Sequence, residues 1–370
     1  MSDQQAKAFP TIIFTESSIN LGGQELQALQ QMSALNELGY QAILLCKHGS
    51  AISTAAQRRG LQFLTLPFRN AFDLKSISQI SKLIQQYRPI ALMCHGSRDA
   101  LVSVIAIRCA ALFGIRPPKL FRIKTFQQGR PLSFAYNYLF TKTLTPSEHL
   151  RQKFLVNTWI NPFKVEVLYP GVNLARLDSD SGALPSPVIY WLDVHPGPII
   201  AHGAVLRGEK GHQTILQALL IVRKEFPNVR YVIAGDGHDR SLLEQQIRDL
   251  GLVENVFLAG HLSSISALLK QSDLAVLPSL REPLGMFQIE AQYLEVPVIA
   301  SDVDGIPETI LHQKTGLLVS PGVVDEWASA ILWALYNPVL IKELAVAGKY
   351  YVAEKFSIEK NTQALLKLFH

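Results

Sequence analysis

This sequence predicts an α/β protein built as two doubly wound domains in series. Three observations carry that expectation. Short apolar runs alternate with segments of helical spacing in both halves of the chain. The alternation breaks once, over residues 174–198, where Asp178, Ser179, Asp180, Ser181, Gly182, Pro185 and Pro187 give a linker-like composition. A length of 370 residues with 48% apolar content suits two packed cores. Open parallel sheets bind ligands outside the carboxyl ends of their strands, so two Rossmann-like domains facing a central cleft are expected.

Taken in order, residues 10–14 are a β-type run, followed by a loop containing Gly22 and Gly23. Residues 25–38 place Leu26, Leu29, Met32 and Leu35 at helical spacing, and Gly39 ends that helix. Strands are expected at 41–46, 61–66 and 90–94, with helices at 77–87 and 100–113. Beyond the break come a strand at 199–205, a helix at 212–225, a strand at 229–234 and a helix at 240–250. Further strands are expected at 256–259, 274–278 and 298–300. The expected boundaries are therefore 1–175 for the first domain, 176–197 for a linker and 198–352 for the second domain.

Composition removes several classes of function. The longest apolar stretch, 100–115, is interrupted by Ser103 and Arg108 and is shorter than the roughly 20 residues a spanning helix needs. The polar opening, 1–7, does not read as a secretory leader. Cys46, Cys94 and Cys109 lie singly in apolar surroundings, without disulfide or metal-ligand spacing, so a reducing cytoplasm is the expected compartment. Charge is uneven: residues 1–176 hold 20 Lys+Arg against 8 Asp+Glu, net +12, and residues 177–370 hold 15 against 22, net −7. The basic half calls for an anionic partner, either lipid headgroups or a phosphorylated substrate. Arg58, Arg59, Arg69, Lys75, Arg116, Lys119, Arg122, Lys124 and Arg130 supply that charge. It carries no helix-turn-helix or RNA-binding motif, so nucleic acid is not expected. Peripheral contact with the inner face of the cytoplasmic membrane fits the charge, and a soluble acceptor is the competing explanation.

The segment 279–290, SLREPLGMFQIE, is the most informative. An apolar strand empties into a polar loop, and Pro283 and Gly285 precede a helix. The amides of Gly285, Met286 and Phe287 are helix-start donors that can hold a diphosphate. Glu282 sits ahead of the helix and Glu290 about two turns into it, so two carboxylates can take hydroxyls at the two ends of one extended ligand.

Together with its neighbours this segment resembles the E-x7-E signature of retaining glycosyltransferases of the GT-B fold, family 4 or group 1 type. The accompanying pieces occur in order. They are Leu21 to Glu25 (LGGQE), Leu168 to Asn173 (LYPGVN), Gly208 to His212 (GEKGH), Val232 to Gly237 (VIAGDG), Pro297 to Asp302 (PVIASD), Gly305 to Glu308 (GIPE) and Thr315 to Val319 (TGLLV). The resemblance implies transfer of a sugar from a nucleotide-diphosphate sugar (UDP-, GDP- or ADP-linked) to a hydroxyl acceptor, with no metal or other cofactor. The acceptor it implies is a glycan or glycolipid of cell-envelope polysaccharide or lipopolysaccharide synthesis. By the same resemblance Glu290 binds the ribose, Glu282 the donor sugar's hydroxyls, and Lys210 neutralises the leaving diphosphate. Gly22 and Gly23 let the first domain's backbone approach the phosphates, and the last helix, about 353–370, returns to the first domain.

Three departures from that pattern stand out. The arginine usually five residues before the lysine is Val205 here, and Arg207 is the nearest substitute. The usual first-domain histidine is missing from 122–130, where Lys124 and Thr125 fall, so His95 in the CHGSRD run is the best remaining polar group on the acceptor side. The first glycine of the family's G-G-x-P-E is Asp304. Gly235 opens a G-x-G that lacks the third fingerprint glycine, Arg240 standing there, so it reads as a strand-end turn at the donor site rather than a nicotinamide site. Asp302 and Asp304 do not form a D-x-D metal motif in the required context. The competing readings are a sugar-nucleotide-binding protein without transferase activity, and an epimerase or hydrolase on the same scaffold.

Overall fold

The computed structural model describes residues 9–127, 129–180 and 182–370. Residues 1–8, assigned above to the first domain, and Ser181 of the expected linker lie outside the described residues. The chain forms two compact units, residues 1–171 with 358–370, and residues 172–357.

The first unit contains β1 (Thr11–Glu16), α1 (Gly23–Glu37), β2 (Gln41–Cys46), α2 (Ala51–Arg58), β3 (Phe63–Thr65), α3 (Leu74–Tyr87), β4 (Ala91–Cys94) and α4 (Ser97–Ala111). It continues with β5 (Lys119–Ile123), a π-helical turn (Ala135–Leu139), β6 (Lys142–Thr145), α5 (Glu148–Leu155) and β7 (Val165–Val167). Seven parallel strands lie in the order β3-β2-β1-β4-β5-β6-β7. Both faces of this sheet are covered, so successive side chains enter different cores. Ile12 and Phe14 of β1 pack on one side, and Ile13 on the other.

The second unit opens with α6 (Leu174–Ser179) and α7 (Ser186–Val194), then β8 (Ile199–Gly203), α8 (His212–Val222), β9 (Arg230–Ala234), α9 (Arg240–Asp249) and β10 (Val256–Gly260). There follow α10 (Ile265–Leu269), β11 (Leu274–Leu277), α11 (Phe287–Tyr293), β12 (Val298–Ser301), β13 (Leu317–Val319), α12 (Val324–Tyr336) and α13 (Pro338–Phe356). Its six parallel strands run β10-β9-β8-β11-β12-β13. The stretch expected as linker carries two helices that belong to this unit. Val188, Trp191 and Leu192 of α7 are buried in its core, and Pro187 is tolerated because the first helical turn needs no amide donor there.

The last helix, α14 (Ile358–Phe369), packs in the first unit. Leu365 and Phe369 enter the core beside α1, the Phe369 ring lies 5.9 Å from Phe121, and Gln31 donates to Asn361 at 3.0 Å. No single described helix is long and apolar enough to cross a membrane.

In each sheet the strand order reverses at one place, between β1 and β4 in the first unit and between β8 and β11 in the second. Loops leaving two such strands diverge to opposite faces and open a crevice at the carboxyl edge. The residues singled out from the sequence cluster at these two exits.

Candidate active site

In the second unit the loop after β8 turns through Gly208–Lys210 and enters α8, while the loop after β11 runs to α11. The two loops are laced together. Leu280 N–H donates to the Glu209 carbonyl at 2.8 Å, and the Lys210 ammonium donates to Glu282 Oε2 at 2.6 Å. Both side chains of that pair are mostly buried, 14% and 12% exposed, so the charge is held in a low-dielectric setting. An ammonium has three donors, and one to Glu282 leaves two for another anion. Gly211, at φ +71°, makes the close fit possible, since a Cβ there would lie 1.9 Å from the Pro278 carbonyl oxygen.

Glu282 is fixed by its backbone as well. Its N–H donates to Asp304 Oδ2 at 3.0 Å, and its carbonyl accepts from Gly305 N–H at 3.1 Å. Asp304 adopts φ +49°. Aspartate tolerates this left-handed position better than most residues, and its carboxylate then caps the Glu282 amide. The residue that departs from the family pattern thus holds the first glutamate in place.

Helix α11 begins at Phe287, which puts Glu290 in its first turn rather than two turns in. The side chain is half-buried, and desolvation pushes its carboxyl up to about 7, with Arg176 on α6 acting the other way. Gly285 has φ +84°, Met286 caps the helix, and the Phe287 ring is buried against the end of β8. Of Phe287, then, the helix-start amide rather than the side chain is at the loop surface. Arg207 is half-exposed and pairs with Glu209 at 2.8 Å, not with Glu282. Gly235, at φ +149°, is required by packing: a Cβ there would lie 1.9 Å from the Ala204 carbonyl in the loop leading to Lys210.

Beneath the lysine loop lies a pair the sequence reading missed. His202 of β8 and His212 at the start of α8 are both buried, with rings 4.6 Å apart, and His202 Nδ1 is 2.7 Å from the Tyr231 hydroxyl. Burial is the main cause holding His202 well below its ordinary value and His212 at about 4, with the Lys210 charge adding to both. They form a neutral floor under a charged lysine. The available signal was a polar residue inside the apolar run of β8.

In the first unit, Gly22 caps α1 and Gly96 caps α4, and each backbone amide is taken by an acid three residues on. Glu25 Oε2 accepts from Gly22 at 2.8 Å, and Asp99 Oδ2 from Gly96 at 3.2 Å. A Cβ on Gly23 would meet nothing within 4 Å, so folding does not demand a glycine there. A pocket of about 610 Å³ opens at this edge, lined in part by Glu16, Gln24, Arg69, Ser97 and Arg98. Thr15 and Ser17 donate to Asp99, both at 2.7 Å, and burial first, then the nearby Glu16 charge, pushes the Asp99 carboxyl up to about 7. Gln24 joins Glu16 (3.0 Å) to Thr125, whose hydroxyl donates at 3.0 Å.

His95 is turned inward. Its ring is 7% exposed, stacks on Phe14 at 6.0 Å and is held neutral by burial, at about 4. The pocket at this edge is lined by Glu16, Gln24 and Arg98 but not by His95, and of these three Arg98 stands in the run selected from the sequence. They come from the end of β1 and the first turns of α1 and α4, and share no local pattern. Among the described residues, no group of three or more His, Cys, Asp or Glu side chains is arranged to hold a metal.

Comparison with known proteins follows the same division. Residues 21–176 match the family described as Glycosyltransferase Family 4, and residues 194–353 match Glycosyl transferases group 1. The capsular polysaccharide biosynthesis glycosyltransferase CapM of Staphylococcus aureus is 24% identical over 300 residues, 77% of each chain. A glycosyltransferase from Rickettsia africae superposes with a TM-score of 0.85 at 21% identity, covering 98% of both chains. HepE of Anabaena, solved with UDP-glucose, superposes with a TM-score of 0.81 at 20% identity over 97% of this chain and 98% of its own.

Proposed function

The chain belongs to the GT-B glycosyltransferases of the group 1 and family 4 kind, and from that premise we propose that it moves a sugar from a nucleotide-diphosphate donor to a hydroxyl acceptor with retention at the anomeric carbon. The observation that carries this reading is the buried Lys210–Glu282 pair at the strand-order reversal, with Glu290 one helical turn beyond it. Lys210 offers its remaining donors to the diphosphate, where negative charge grows as the glycosidic bond breaks. Glu282 takes hydroxyls of the donor sugar. The start of α11, at Gly285, Met286 and Phe287, receives phosphate oxygens, and Glu290 accepts from the ribose hydroxyls. In the first unit, Gly23 leaves open space at the start of α1, where folding does not require a glycine. With Arg207 engaged by Glu209, Lys210 is the cation paired inside this site.

Two likenesses give the finer reading direction. HepE is a protein solved with UDP-glucose, so a UDP-linked hexose is the first donor to test. CapM is named for capsular polysaccharide synthesis, so a cell-envelope glycan or glycolipid is the acceptor class to try. The basic first domain fits an anionic or lipid-linked acceptor and peripheral membrane contact.

Glu290 gives the test. Only its ionised form accepts two ribose hydrogen bonds, and its carboxyl lies at about 7. Donor affinity therefore rises as pH increases through 7. Calorimetric titration with UDP-glucose, whose esterified phosphates do not titrate near 7, should show this rise for the wild type. For Glu290→Gln it should show a flat profile and affinity lower by about 10–100-fold at pH 8, the scale of charge-assisted hydrogen bonds. Unchanged UDP-glucose affinity in the variant would remove the ribose role.

A further inference from the structure

We propose that the first domain carries a docking face for an anionic phospholipid bilayer, at the amino-terminal edge of its sheet, with a pocket that takes a lipid phosphate between Arg108 and Lys164. The pocket, about 340 Å³, lies where β5, β6 and β7 begin and is lined by Arg108 of α4, Lys164, Tyr138 and apolar side chains that include Leu120. Arg108 is exposed, and the Lys164 ammonium rests on the Phe140 and Thr141 carbonyls at 3.4 and 3.3 Å. Two cations in a pocket of mixed polar and apolar lining suit a phosphate, and the exposed apolar side chains at its rim suit the hydrocarbon attached to it.

The rim has the matching character. Tyr138 is 72% exposed, Trp159 76% and Phe163 85%. They belong to two connections that are fastened to each other: Asn137 donates to the Trp159 carbonyl at 2.8 Å and accepts from Asn161 N–H at 2.9 Å. One turn beyond Arg108 on the same helix face, Leu112 is 85% exposed. Tyr138 and Trp159 have apolar bodies and polar tips, which are at home in the headgroup layer, and Phe163 adds an exposed apolar ring.

Charge chooses between the possible occupants. Arg116, Lys119, Lys142 and Lys164 stand at the starts of β5, β6 and β7, with Arg108 on α4, and Glu166 is paired with Lys142. A second copy of the chain would present the same positive face and be repelled, whereas an anionic bilayer is attracted. Within the first unit, Gly22, Gly23 and His95 lie at the opposite, carboxyl edge of the strands. The inference does not need the transfer reaction, and binding and turnover are separate readouts.

The test is flotation of the full chain with vesicles of phosphatidylcholine alone and of phosphatidylcholine with phosphatidylglycerol, at low and high salt. The wild type should float with the anionic vesicles at low salt and be released at high salt. Tyr138→Ser/Trp159→Ser/Phe163→Ser and Arg108→Gln/Lys164→Gln should each lower the bound fraction about tenfold, with thermal unfolding showing that at least one stays folded. Three outcomes would overturn the proposal. They are equal flotation of a folded variant, equal recovery on neutral vesicles, and a wild-type dimer in solution that the aromatic variant dissociates.

Discussion

Lys210→Ala should lower turnover by about 10²–10³-fold, the usual cost of removing one charge-stabilising group from a transition state. The side chain is 14% exposed and already fixed by Glu282, so little reorganisation is needed when charge develops on the diphosphate. Loss of the lysine also leaves a mostly buried carboxylate unpaired, which by itself costs about 1–3 kcal/mol of stability. The double variant Lys210→Ala/Glu282→Ala separates the two effects. It should recover much of the stability and none of the turnover, read as thermal unfolding and as release of UDP. Recovery of turnover with stability would mean that the pair only holds the loops together.

Gly211→Ala should unfold the second unit at a temperature about 10 °C lower, for a cost on the order of 3 kcal/mol or more. Two terms add. The residue sits at φ +71°, and its new Cβ would lie 1.9 Å from the Pro278 carbonyl oxygen, which is backbone and cannot swing aside. The strain falls between the loops that carry Lys210 and Glu282, so turnover should fall as well. Gly23→Ala is the control, because a Cβ there meets nothing within 4 Å. Differential scanning calorimetry of the two variants should therefore show a large shift for the first and almost none for the second. Equal shifts would contradict the reading of both glycines.

What could be read from the sequence follows how local each signal is. Lys210, Glu282, Gly285 and Glu290 each sit just after an apolar strand, within a short run whose order is fixed by strand–loop–helix alternation. The alternation itself gave the two parallel sheets. Helix α7 was hidden because Pro185 and Pro187 look like linker residues, although Val188, Trp191 and Leu192 already carry the i, i+3, i+4 pattern. The His202–His212 contact was not legible because nine residues of chain separate two rings that the fold brings to 4.6 Å. His95 was chosen for its polar neighbours, but the run cannot say which side chain at a strand exit turns into the core. Asp304 looked like a damaged motif, and only its backbone angle and its bond to the Glu282 amide give it a purpose.

The central claim is retention, and the configuration of the released sugar tests it most directly. With no acceptor present, slow leakage of UDP-α-glucose to water can be followed by proton NMR before the product equilibrates, using the wild type and Lys210→Ala. The account predicts that α-glucose appears first with the wild type and that the variant forms it about 10²–10³-fold more slowly. β-Glucose as the first product would contradict it.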